Sequence, residues 1–211
     1  MRILLACLFC CGALAVQAAE PPAELLRMLA APPAPRAAET AIELSRLIKA
    51  PPAEVWKAWT TSEGITSFFA PEARVEAKPG GPFEIYIDPY AAPGMKGADD
   101  MRVLAVEPEK LLSFTWNAPP HLPQARQQRT VVILRFAPEG EGTRLSFSHL
   151  GWGSEGEWPQ ARAYFEKAWP RVLDKLQQRF ETGKPVDWTP WRQQLQQSHA
   201  NEAAKTKAEK P

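Results

Sequence analysis

The stretch AIELSRLIKAPPAEVWKAWTTSEGITSFFAP, residues 41–71, decides the fold. Ile42, Leu44 and Ile48 recur at every second position with Arg46 in the same phase, the period of a half-buried strand. Ala50-Pro51-Pro52 ends that strand, and a helix starts naturally with Pro52 in its first turn and Glu54 at the positive end of its dipole. Val55, Trp56 and Trp59 give this helix an apolar face. Thr61 to Phe69 reads as a second short helix that tolerates Gly64 and stops at Pro71.

Strand signals then follow without an intervening helix. Arg74 to Ala77 is short, and Gly80-Gly81-Pro82 marks a turn. Phe83, Ile85 and Ile87 alternate with Glu84, Tyr86 and Asp88, which places Glu84 and Asp88 toward solvent. A loop with Pro89, Pro93, Gly94 and Gly97 leads to Met101–Glu107. Leu112, Phe114 and Trp116 share a face, as do Val132, Leu134 and Phe136, and then Leu145, Phe147 and His149. Glu139-Gly140-Glu141-Gly142 reads as a hairpin connection. Serial strands joined by turns imply an antiparallel sheet and exclude βαβ units.

One long amphipathic helix closes the domain, from about Glu155 to Glu181, with Phe165, Trp169, Val172, Leu173, Leu176 and Phe180 on its apolar stripe. Ser154 with Glu157 resembles a capping box, Gly183 is the expected stop, and Pro170 predicts a kink or a junction near Trp169. The expected fold class is α+β: a curved antiparallel sheet wrapped around a long C-terminal helix, with two short helices after the first strand.

The ends read differently. Met1-Arg2, the apolar run Ile3–Val16 and Val16-Gln17-Ala18 form an export signal over residues 1–19, with cleavage expected near Ala18. Residues 20–40 are a Pro/Ala-rich linker, 41–184 the domain, and 185–211 a polar tail expected to dock loosely through Trp188 and Trp191 and then to be disordered. The expected location is periplasmic or secreted, with no stable membrane insertion. Cys7, Cys10 and Cys11 all lie in the signal, so the mature chain has no thiol chemistry or Cys-ligated metal. Removing Arg2 from the 25 Lys+Arg leaves 24 against 24 Asp+Glu, a balance without a nucleic-acid footprint.

The segments APPAEVWKAWTTSEGITSFFAP (50–71), VLAVEPEKLLSFTWN (103–117), EGEGTRLSFSHLGW (139–152) and WPRVLDKLQQRFETG (169–183) occur in an order and spacing that resembles the heat-shock-protein-90 ATPase activator homologue family. That family is part of the SRPBCC superfamily of START and birch-allergen-like proteins. The resemblance covers residues 41–184 and implies a helix-grip fold with a hydrophobic cavity. Phe68-Phe69 stand where such sequences often carry tryptophan, and Pro170 departs from the pattern. The export signal separates this chain from the cytosolic, ATP-driven partner that the family name implies.

His121, His149 and His199 share no metal-ligand spacing, so no cofactor or metal is expected. His149 faces inward as a hydrogen-bonded strand-end residue or, alternatively, as a general base. Arg46 either snorkels to the rim or orients a ligand carboxylate. The expected ligand site comprises Arg46, Trp59, Phe69, Phe83, Trp116, Leu134, Phe147, His149, Phe165, Trp169 and Leu173. The expected function is an exported monomer or weak dimer that binds a lipid-like or aromatic small molecule in a cavity between the sheet and the C-terminal helix, with no catalytic residue assigned. The alternatives are a cyclase or dehydratase using His149 and Arg46, and a periplasmic chaperone-like interaction module.

Overall fold

The structure is a computed structural model that describes residues 41–208. The export signal and the Pro/Ala linker lie outside the described residues. In chain order the elements are β1 (Ile42–Ile48), α1 (Pro52–Thr60), α2 (Ser62–Thr66), β2 (Glu72–Val75), β3 (Phe83–Tyr86), β4 (Gly97–Ala98) and β5 (Val103–Glu107). There follow β6 (Leu111–Trp116), α3 (Pro123–Arg126), β7 (Thr130–Glu139), β8 (Gly142–Leu150), α4 (Trp158–Thr182) and α5 (Thr189–Ala208).

The expected α+β helix-grip architecture is present. Five strands pair antiparallel in the order β1-β8-β7-β6-β5, and β2-β3-β4 form a smaller antiparallel sheet. The two sheets are joined by backbone bonds: Phe83 N–H donates to Met101 O at 2.8 Å, and Val103 N–H to Gly81 O at 2.9 Å. Register places every inward residue of one strand opposite another. Leu44 faces Phe147, which faces Leu134, which faces Leu112. Alternation of apolar and polar side chains therefore builds one continuous buried face.

Helix α4 crosses that face and buries Phe165, Trp169, Leu173 and Leu176 against it. Trp169 sits at the centre of an aromatic cluster, its ring centroid 4.6 Å from Phe147, 5.0 Å from Trp116 and 5.8 Å from Phe69. Trp59 and Phe68 pack beside it at 5.1 Å, and Phe83 stacks on Phe114 at 3.8 Å. Trp59, Phe68, Phe83, Phe114, Phe147 and Trp169 are all essentially excluded from solvent. Burial of such side chains stabilises the fold by roughly 2–3 kcal/mol each before entropy is counted. These aromatic side chains pack between the sheet and the helix.

The short helices have local causes. Pro52 occupies the first turn of α1, and Thr61 Oγ1 caps α2 by accepting from Gly64 N–H at 2.9 Å. A Cβ on Gly64 would stand 2.4 Å from Lys57 O, so the glycine that weakens a helix reading is what lets α2 approach α1. Gly183 ends α4 in the left-handed conformation at φ 68°, as expected.

Several details differ from expectation. Glu84 is buried, because β3 is covered on both faces; its carboxylate accepts from Tyr86 O–H at 2.9 Å and pairs with Arg74. The Ser154/Glu157 capping box does not form. Glu157 Oε2 accepts instead from Gln124 N–H and Ala125 N–H, at 2.8 and 3.0 Å, and so caps α3. Helix α4 continues through Pro170 with no junction, at the expense of one backbone bond to the Glu166 carbonyl. Residues 189–208 form a helix, α5, within the segment read as a polar tail.

Candidate functional site

Two inward polar residues come from neighbouring strands. His149 lies on β8 opposite Ile42 of β1, and Arg46 lies four positions further along β1, opposite Leu145. Four residues of strand separate their ladder positions by ~13 Å. His149 is fully buried. Trp169 Nε1–H donates to its Nδ1 at 2.8 Å, and its Nε2 stands 2.7 Å from Thr130 Oγ1. An indole can only donate, so Nδ1 accepts, Nε2 carries the proton, and Thr130 accepts from it. The Thr130 hydroxyl passes on to Trp116 O at 3.3 Å, and Trp152 Nε1–H donates to the His149 carbonyl at 2.9 Å.

Burial, reinforced by the nearby Arg162 charge, lowers the His149 pKa to about 3. The imidazole is a neutral structural tie with both nitrogens committed. Arg46 reaches the rim, where its Nε and Nη2 donate to Asp174 Oδ1 of α4 at 3.0 and 2.9 Å. The two side chains are therefore engaged by different partners, His149 by Trp169 and Thr130 and Arg46 by Asp174.

An open space lies beside α4. A groove of about 950 Å³ runs between α4 and α5. Its floor is Phe69, Pro71, Ile87, Trp116, Phe165 and Trp169. Helix α4 supplies one wall through Gln160, Ala163, Tyr164, Lys167, Ala168, Arg171, Val172 and Lys175. The chain from Val186 through Asp187, Trp188, Pro190 and Trp191 to Gln194 supplies the other. A second cavity of about 370 Å³ adjoins it, sharing Ile87, Trp116, Tyr164 and Phe165, and ends at Met95, Lys96 and His199. Most of the lining is apolar with a few polar groups, the usual composition of a small-molecule site, and the volume is in the usual range of about 300–1,000 Å³.

Helix α5 buries no residue and has no apolar stripe. It is held by discrete polar contacts. Trp188 Nε1–H donates to Thr66 O at 2.6 Å, and Trp191 Nε1–H to Ile87 O at 2.9 Å. Arg192 pairs with Glu72 at 3.0 Å, Gln196 donates to Tyr90 Oη at 3.0 Å, and His199 Nε2 meets Asp88 at 2.7 Å. Arg126 gathers the loop that carries β4, donating to Gly94 O, Gly97 O and Asp99.

Of the residues named from sequence, Phe69, Trp116, Phe165 and Trp169 line this groove. Trp59, Phe83, Leu134, Phe147 and Leu173 are core, His149 is the buried tie, and Arg46 is at the opposite rim. Sequence reasoning did not find Tyr164, Lys167, Arg171, Lys175, Trp188 or Trp191. Their signals were a cationic residue at every fourth position of α4 and two tryptophans in an otherwise polar segment. Among the described residues no cluster of three His, Cys, Asp or Glu could hold a metal ion, and no helix is long and apolar enough to cross a membrane.

An antiparallel sheet gripping one long helix is the helix-grip fold of SRPBCC-like proteins, a fold that often binds hydrophobic ligands. Within it, residues 49–181 match the model of the Activator of Hsp90 ATPase homolog 1-like protein family, and the chain belongs to that family. The matched region ends before α5. Protein MLL2253 from Mesorhizobium loti is similar at 29% identity and a TM-score of 0.55, over 66% of this chain and 95% of that one. CalU16 from Micromonospora echinospora is 25% identical with a TM-score of 0.51, over 78% of this chain and 86% of its own. The Aha1 dimer from Colwellia psychrerythraea shares the fold at 20% identity and a TM-score of 0.53, over 69% and 98% of the two chains. No curated protein matches.

Proposed function

We propose that this chain is an exported binding protein for a hydrophobic small molecule held in the groove between α4 and α5. The observation that carries the reading is the groove itself: about 950 Å³ over a floor of Phe69, Trp116, Phe165 and Trp169. A site walled by two helices and floored by rigid aromatics offers apolar area at little entropic cost. The export signal supports a place outside the cytoplasm, periplasmic or secreted, where a carrier for a poorly soluble compound has a use. His149 takes no part in chemistry in this reading, because its nitrogens are committed to Trp169 and Thr130.

Titration with Nile red, a neutral lipophilic dye, tests it. Saturable uptake at one site is expected, and it is lost in Ala163→Trp, which fills the groove from an exposed position of α4. Uptake that is absent, or unchanged in the filled variant, contradicts the reading.

A further inference from the structure

Lys167, Arg171 and Lys175 follow one another at four-residue spacing along α4, and all three line the groove. The carboxylates of the same helix are engaged elsewhere. Glu166 pairs with Arg162 at 3.0 Å, Asp174 with Arg46 at 2.9 Å, and Glu181 with Lys49 at 4.0 Å. Lys167, Arg171 and Lys175 make no ion pair or hydrogen bond with any described residue.

The lining contains one carboxylate, Asp187, which already accepts from Thr189 N–H at 2.9 Å. Lys175 is half-buried with its ammonium 4.6 Å from the Trp188 ring, and burial lowers its pKa from the ordinary value. A cation drawn partly out of water without a counter-ion is a standing cost that an arriving anion offsets. The groove therefore has an apolar floor and an unneutralised cationic edge, and Arg171 offers the planar fork that suits a carboxylate or phosphate.

We infer that the occupant of this groove is a single-chain amphiphile with an anionic head group, its tail on the aromatic floor and its head against Lys167, Arg171 and Lys175. The inference rests on the reading of the groove as a small-molecule site. Both helices take part: α4 supplies the charge, and α5, beyond the family match, supplies the opposite wall.

Isothermal titration of the full chain with decanoate, decanol and acetate tests the assignment, on the parent protein and on Lys167→Gln/Arg171→Gln/Lys175→Gln. Decanoate is expected to bind about tenfold or more tightly than decanol, one charge-assisted contact being worth about that factor. Acetate is expected to give no measurable heat. The triple variant, with unchanged circular dichroism, is expected to bind decanoate about tenfold more weakly and decanol as before. Equal affinity for decanoate and decanol in the parent, or decanoate binding unaltered in the triple variant, overturns the head-group assignment and leaves the groove as an apolar site. Acetate binding as tightly as decanoate overturns the role of the tail. Failure of both decanoate and decanol to bind removes the small-molecule reading as well.

Discussion

The indole N–H of Trp169 donates to His149 Nδ1 across 2.8 Å, tying the long helix to strand β8 through the centre of the aromatic cluster. The bond settles the imidazole tautomer and closes a chain that ends on the Trp116 carbonyl by way of Thr130. It also explains why a buried histidine at a strand end is a structural element here.

Trp169→Phe removes that donor and leaves Nδ1 buried without a partner. An unsatisfied buried acceptor costs about 1–3 kcal/mol, and the lost indole volume adds to it. Urea denaturation is expected to show a loss of about 2–4 kcal/mol with an unchanged slope. A loss below about 0.5 kcal/mol would mean that the bond contributes nothing.

His149 also makes stability depend on pH. Its folded pKa of about 3 lies below the ordinary value of 6.5, so the unfolded chain binds a proton that the folded chain refuses. The contribution is complete above pH 6.5 and is lost as pH falls toward 3, with a slope of about 1.4 kcal/mol per pH unit in that interval. Melting temperature measured from pH 7 to pH 4 is expected to fall steeply in the parent and less steeply in His149→Gln. Parallel curves for the two proteins would refute the assignment.

Much of this architecture was legible in the chain, because the determinants are local and periodic. The two-residue alternation of Ile42–Ile48 and of Leu145–His149 appears directly as the register of β1 with β8. Pro52 and Gly183 bound their helices as their backbone chemistry requires. What was not legible depends on tertiary contacts. Glu84 has a solvent phase in the alternation, but the strand is covered on both sides. Glu157 has a capping partner in sequence, yet a helix thirty residues away takes its carboxylate. Pro170 breaks a helix by its own chemistry, and packing of Trp169 and Leu173 on both sides carries α4 through it. The groove between α4 and α5 was not legible for the same reason: its second wall depends on where α5 docks.

Helix α5 has no buried face to hold it, so its anchors are few and identifiable. Trp188→Ala/Trp191→Ala is expected to abolish hydrogen-exchange protection in residues 189–208 while leaving β6, β7 and β8 protected. Protection of α5 that persists in the double variant would show that other contacts suffice.

Gly64→Ala places a methyl group 2.4 Å from the Lys57 carbonyl, at a contact that only a backbone shift relieves. The expected loss is about 1–3 kcal/mol, read by thermal or urea denaturation. A neutral or stabilising result, as at an ordinary helical glycine, would show that α1 and α2 move apart freely.

The groove between α4 and α5 is proposed to carry a hydrophobic small molecule. Native mass spectrometry of the protein recovered from its own compartment, followed by denaturing mass analysis of the same sample, tests it most directly. The account predicts a non-covalent adduct on the native protein that disappears on denaturation and is an apolar compound, with that adduct missing in Ala163→Trp. A bare native mass, in protein that also fails to take up a lipophilic probe, would contradict it.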